Sequence, residues 1–268
     1  MPAGQRSWDL KVQRAGQHLD EVREAMAAYA SRNPYRAVRV QQPKGQRHIW
    51  LYQLEMTEEP DPMIPVIIGE CLYDLRSALD HLAVAMAPRN RKANAAFPVE
   101  TTDPWVRDEA GDFIHGEERR NSFTAKIKGM PPDAVEKIIK AQPYQRENSE
   151  LETLSLISRL ENADKHRSLI AVGHGVVNAR SVVTAAGQAI KQESVGFCEN
   201  GQEIAKFGFT GRLLVEGEVT VEVSGTAAIA IKVAGINGCF AMPESLETLV
   251  AWARDSAIPE FAPFTRPD

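Results

Sequence analysis

Two clusters of ionisable residues interrupt otherwise apolar helical patterns. The first, Asp74-Leu75-Arg76-Ser77-Ala78-Leu79-Asp80-His81, gathers two carboxylates, a guanidinium, a hydroxyl and an imidazole in one short stretch. At about 100° per residue, Glu70, Asp74, Ser77 and His81 fall on one line opposite a leucine stripe, and Arg76 and Asp80 form an i,i+4 pair on a flank. An imidazole titrates near neutrality and can carry a proton, while a guanidinium can meet a phosphate with two parallel hydrogen bonds. Two readings follow from the spacing. In one the stripe is a solvated face with an ordinary helix-stabilising pair; in the other it lies against a second helix or subunit as a polar cleft.

The second cluster is Arg159, Glu161, Asn162, Asp164, Lys165, His166 and Arg167. Lys165, His166 and Arg167 suit the last turn of a helix, where the dipole favours cations. Asp164 falls by helical phase beside Ile157 and Leu160, and an acid on an apolar flank needs a partner, which Arg76 or His81 could supply. Asp80, His81, Asp164 and His166 are also types that zinc or iron would accept. Residues two apart on a helix point about 200° away from each other, however, so Asp164 and His166 could share one ion only where the helix frays, and adjacent Asp80 and His81 also diverge. Neither helix carries a His-x-x-x-His or Glu-x-x-His pair, so no metal is expected, and Gly-x-Gly-x-x-Gly and Gly-x-x-x-x-Gly-Lys-Ser/Thr are both missing, so no nucleotide cofactor is expected either.

Arg76 and His81, with four residues between them on a helix, resemble the Arg-x(4–6)-His signature of HEPN proteins. That superfamily comprises helical domains, many of them metal-independent ribonucleases that act as dimers. The resemblance implies His81 as acid or base on a ribose 2′-hydroxyl and Arg76 as stabiliser of charge on the phosphate. Asp74, Asp80 and Asp164 would then orient them, with His166 a further candidate catalytic residue, and RNA would be the substrate. The chain departs from the family in carrying the motif on the second of four expected helices and in adding a β-rich half.

A basic stretch could hold the strand. Residues 25–54 contain Arg32, Arg36, Arg39, Lys44, Arg47 and His48 and no acid, in a chain whose acids outnumber its bases 36 to 31. Arg36, Arg39, Lys44 and Arg47 offer phosphate contacts, and Trp50 and Tyr52 offer stacking faces. Alternatively the charges protect a sheet edge and the two aromatics belong to the core.

The elements that must position these groups are legible as periodicity. Ile68, Leu72, Leu75, Leu79, Leu82 and Met86 step by three and four and predict a helix over 64–86, ended by Pro88. Leu10, Leu19, Val22, Met26 and Tyr29 predict an earlier helix from Ser7 to Arg32, closed by Asn33-Pro34. Between them, residues 36–56 read as a β-hairpin around Gln42-Pro43-Lys44-Gly45. Arg89 to Lys128, broken by Pro98 and Pro104, reads as an irregular excursion anchored at Phe97-Pro98-Val99. Pro131-Pro132-Asp133 opens a short helix that Gln142-Pro143 stops, and Ser149 to His166 forms the fourth.

After Arg167 the period becomes two. Val215, Val219, Val221 and Val223 alternate with Glu216, Glu218, Thr220 and Glu222, Ile229, Ile231 and Val233 repeat the pattern, and Glu199-Asn200-Gly201-Gln202 reads as a hairpin turn. Pro243 starts a last helix with Leu246, Leu249, Val250 and Ala253 on one face. The expected fold is therefore α+β: residues 1–167 helical with a hairpin, residues 168–268 antiparallel β with a C-terminal helix.

The chain has 268 residues, a net charge of −5 and a pI near 5.8, which argue against coating nucleic acid through the overall field. Three widely spaced cysteines, the lack of an apolar leader and the lack of any run of eighteen apolar residues point to a cytoplasmic protein that does not span a membrane. Three functional readings stand in order. They are a metal-independent nuclease acting on RNA as a homodimer, a non-enzymatic binding or assembly protein using the polar helix face, and a metal-dependent hydrolase.

Overall fold

The computed structural model describes residues 6–40, 49–107, 113–118, 122–148, 151–167, 172–185, 188–193, 197–208, 219–231 and 240–266. In chain order the elements are α1 (Ser7–Ser31), β1 (Tyr35–Val40), β2 (Ile49–Met56), α2 (Met63–Met86), β3 (Trp105–Arg107), β4 (Phe113–Glu118), α3 (Ser122–Ile127), α4 (Pro132–Lys140) and α5 (Thr153–Arg167). There follow β5 (Val172–Ala185), β6 (Gln188–Glu193), β7 (Phe197–Glu199), β8 (Glu203–Gly208), β9 (Val219–Ile231), β10 (Phe240–Met242), α6 (Glu244–Trp252) and α7 (Ile258–Phe261). The fold is α+β, helix-rich first and antiparallel β afterwards, with a terminal helix.

The chain forms two compact units that do not follow a single cut. One comprises residues 1–20, 66–170 and 246–268, and the other residues 21–65 and 171–245. The β1–β2 hairpin, expected with the helical part, therefore belongs with the β part. The reason is strand pairing: β2 bonds to β1 on one edge and to β8 on the other, with Trp50 opposite Phe207. A strand's second neighbour can be far away in sequence, and local periodicity carries no record of it.

In the helical unit the leucine stripe of α2 is the centre of the core. Ile68, Leu72, Leu75, Leu79, Leu82 and Met86 are all completely buried, joined by Cys71, Ala78 and Ala83. Apolar burial at about 25 cal/mol per Å² makes such a stripe the main source of the helix's stability. Pro132 opens α4 with Asp133 in its first turn and Lys137 and Lys140 in its last, matching the helix dipole. The C-terminus of α2 is capped from afar: Arg266 gives its backbone N–H to the Ala85 carbonyl at 3.0 Å and its Nε–H to Met86 at 3.3 Å. Between α6 and α7 the helix widens into one π turn over Ala253–Ala257, where Ile258 N–H bonds back to Ala253. Pro259 accounts for it, since the ring removes one helical donor and crowds the carbonyl four residues before it.

Residues 89–128 are more regular than expected. They include a turn of 3₁₀ helix over Arg89–Asn94, the antiparallel pair β3–β4 and α3. The anchor at Phe97 is real: its side chain is fully buried and meets Phe261 edge to face at 5.1 Å.

In the β unit, one sheet has the order β1-β2-β8, and a second runs β10-β9-β5-β6 with β7 also on β5. Trp50, Tyr52 and Leu54 from the first sheet share a core with Val176, Ala179, Val183, Cys198 and Val219 from the second. The alternating valines of residues 219–223 and the isoleucines at 229 and 231 lie on one long strand, β9, while Val215 and Val233 fall outside the described residues. Residues 199–202 do form a turn, with Gly201 at φ +83 and Gln202 N–H on the Glu199 carbonyl at 3.0 Å. It is not a hairpin, because β7 pairs with β5 and β8 with β2.

Candidate functional site

The polar stripe of α2 is not solvated. Asp74 is only 6% exposed, and Ser77 and His81 are half-buried, leaving Glu70 exposed at the end of the line. The cover comes from α1. Lys11 Nζ reaches Asp74 Oδ1 at 2.5 Å, His18 Nε2 stands 3.8 Å from Asp74 Oδ2, and His18 Nδ1 stands 3.7 Å from Glu70. One helical turn further along, the Cys71 thiol donates to the Ala15 carbonyl at 3.3 Å. Burial pushes that thiol well above its usual range, and the nearby Asp74 charge adds to the effect. A buried carboxylate is tolerable only with such partners. Lys11 and His18 were missed from sequence because α1 reads there as an ordinary amphipathic helix, and only packing brings its polar positions to Asp74.

Arg76 and Asp80 form the expected pair at 2.8 Å, and the pair does more than stabilise its own helix. Arg76 Nη2 donates to the Phe97 carbonyl at 2.6 Å, and Phe97 N–H donates to Asp80 Oδ1 at 2.9 Å. Both backbone groups of Phe97 are thus satisfied by α2 side chains, as a neighbouring strand would satisfy them. Arg76 Nη1 is buried and has no hydrogen-bond partner among the described residues, and the same holds for His81 Nδ1.

The strip that Phe97 begins is held again at its other end. Gln142, just past α4 and fully buried, donates from Nε2 to the Pro98 and Ile138 carbonyls at 3.0 Å each, and its Oε1 accepts from Glu100 N–H at 3.0 Å. Tyr144 N–H adds a bond to the Glu100 carbonyl at 3.1 Å. In the sequence Gln142-Pro143 reads only as a helix stop. Its amide was one more polar residue at a boundary, with nothing in the local pattern to mark it as buried.

On α5, Glu161 is buried and Asn162 is exposed. Asp164 and His166 belong to this helix by backbone, but their side chains lie outside those described, as does the expected meeting of Asp164 with Arg76 or His81. Among the described residues no group of three or more His, Cys, Asp or Glu side chains is gathered as a metal would need.

The basic hairpin differs from the expected nucleic-acid interface. Trp50 and Tyr52 are 4% and 8% exposed and fill the core between the sheets, so neither presents a face on which a base could stack. Their alternation in β2 puts both on the inner side, together with Leu54. Arg39 lies over the Trp50 ring at 3.9 Å, sealing that edge of the core, and Arg36 is paired across the strands with Glu55. Both guanidinium groups therefore have work within the fold. Lys44 and Arg47 lie outside the described residues.

Among the described residues no helix is long and apolar enough to cross a membrane. Comparison with models of protein families, with curated proteins and with solved structures finds no match to the chain, so the site stands on its own geometry.

Proposed function

We propose that the chain is a metal-independent RNA-cleaving or RNA-binding protein of the HEPN-like kind, with Arg76 and His81 as its working groups. The observation that supports this most is the pair of buried nitrogens on α2, Arg76 Nη1 and His81 Nδ1, neither of which has a hydrogen-bond partner among the described residues. A buried polar group left unpaired costs about 1–3 kcal/mol, so two groups on one helix that are unpartnered among the described residues suit a ligand that completes the set. A phosphodiester offers acceptors to a guanidinium, and a ribose 2′-hydroxyl offers a proton to a neutral imidazole. Asp80 and Phe97 hold Nη2 and so fix the direction in which Nη1 can donate. Because the two residues project about 140° apart around their helix, one copy aims poorly at one phosphate, and a homodimer supplies the second group. Cys71 and Cys198 are free, buried thiols, which suits the cytoplasm.

The test is cleavage of a panel of RNAs in the presence of a chelator, with 2′,3′-cyclic phosphate ends as the expected product. His81→Ala is expected to lower the rate by at least about 10²-fold, the usual contribution of a general acid or base, while leaving the helical signature intact. A second reading, a non-enzymatic binding or assembly protein, draws on the commitment of Arg76 to Phe97 and on Tyr73, half exposed beside Asp74 on the same helix. Uncut RNA at every protein concentration, or unfolding of the His81→Ala protein, would put that reading first.

A further inference from the structure

We propose that Gln142 is a positioning residue for Arg76, acting through the backbone of Phe97, Pro98 and Glu100. The proposal deepens the reading above and takes its functional meaning from it, but its physical content is a coupling that can be measured without RNA. Residues 97–100 have no neighbouring strand among the described residues, yet four of their backbone groups are hydrogen-bonded by side chains. Arg76 and Asp80 grip Phe97 from α2, while Gln142 grips Pro98 and Glu100 from the end of α4. Arg76 Nη2 has two acceptors, Asp80 on its own helix and the Phe97 carbonyl on this strip, so the aim of the guanidinium depends on where the strip is held.

Gln142 suits the task in three ways. Its amide carries two N–H donors and an acceptor oxygen, and all three are used at 3.0 Å. It is completely buried, so water cannot replace it cheaply. Finally, Pro143 forces it into an extended conformation at φ −67 and ψ 139, which fixes where its side chain departs from the helix end. The competing role is a plain helix cap, since the bond to the Ile138 carbonyl reaches four residues back along α4. A cap would steady α4 and leave Arg76 indifferent.

The experiment compares the full-length wild-type chain with Gln142→Glu and Gln142→Leu by NMR, following the guanidinium Nη–H signals of Arg76 and the exchange rate of the Phe97 amide. A guanidinium held by a carboxylate and a carbonyl rotates slowly and shows separate Nη–H signals. Loss of the Gln142 donors is expected to merge them and to speed Phe97 exchange by at least about tenfold, the effect of losing one to two buried hydrogen bonds. Gln142→Glu keeps the side-chain shape and the acceptor for Glu100, so it decides the matter if the leucine variant fails to fold. Unchanged Arg76 signals beside loosened α4 amides would reduce Gln142 to a cap and overturn the proposal. Where wild type cuts RNA, Gln142→Glu is expected to lower kcat by about tenfold with KM within about twofold. An unchanged kcat beside moved Arg76 signals would overturn the functional half. Absence of cleavage by wild type would sink the nuclease reading, and the NMR comparison would still decide the coupling.

Discussion

Asp74 and Lys11 form an ion pair that is unequal in exposure: the Asp74 side chain is 8% exposed and that of Lys11 30%. The inequality decides which deletion costs more. Asp74→Ala removes the buried charge and leaves an ammonium that can turn toward water, while Lys11→Ala strands a buried carboxylate beside His18. We expect Lys11→Ala to destabilise by about 3 kcal/mol, Asp74→Ala by about 1–2 kcal/mol, and the double variant by clearly less than the sum. Equilibrium urea unfolding of the three proteins measures this, and equal single-variant losses would show that the pair behaves as a surface bridge. At this scale the sequence marked Asp74, Arg76, Asp80 and His81 as unusual through their places on an apolar helix. It could not mark Lys11, His18 or Gln142, whose importance lies in what they are packed against.

At the scale of elements, periodicity was a sound guide wherever an element's partner is close along the chain or its buried face is continuous. The helices α1, α2 and α4 and the alternating part of β9 show this. It failed where pairing is remote. Glu199 to Gln202 has every mark of a hairpin turn and instead passes the chain from one sheet to the other, with Leu54 N–H on the Gln202 carbonyl at 2.9 Å. Trp50 and Tyr52 looked equally suited to bases and to a core, and only the second sheet shows which applies.

A further element-scale feature is the bulge in β5 between Val177 and Arg180, where Asn178 takes φ 52 and the strand opposite carries Gly225. A Cβ on Gly225 would lie 2.3 Å from Val176 Cγ1 and 3.1 Å from the Val177 carbonyl. Gly225→Ala therefore has to displace a fully buried valine, and we expect a loss of about 2–3 kcal/mol. Val176→Ala in the same chain should recover part of it, since the new methyl fills the space that the old one leaves. Thermal or urea unfolding reads both. A Gly225→Ala protein as stable as wild type would mean that the strands slide apart there without strain.

For the molecule as a whole, a division by content near residue 168 was readable, but the compact units cross it, because hairpin β1–β2 follows its sheet partner rather than its sequence neighbours. Each unit nevertheless buries an acid that resists ionisation. In the helical unit it is Cys71, and in the β unit it is Tyr29, whose hydroxyl donates to the Glu58 carbonyl at 2.9 Å. Burial, with the charges of Glu59 and Glu58 behind it, pushes the Tyr29 phenol from 10.0 up to about 12. A group whose pKa is raised by folding contributes fully below its unfolded value, where both states are protonated. Above it the unfolded chain loses its proton first and is favoured, so stability is lost as pH rises from about 10 toward 12. Tyr29→Phe gives up the hydrogen bond and with it about 1 kcal/mol at neutral pH, but it has no proton to lose. The urea midpoint of the Tyr29→Phe protein is therefore expected to start lower at pH 8 and to fall less steeply than wild type between about pH 10 and 12. Parallel curves over that range would mean that the phenol ionises as readily in the folded chain as in the unfolded one.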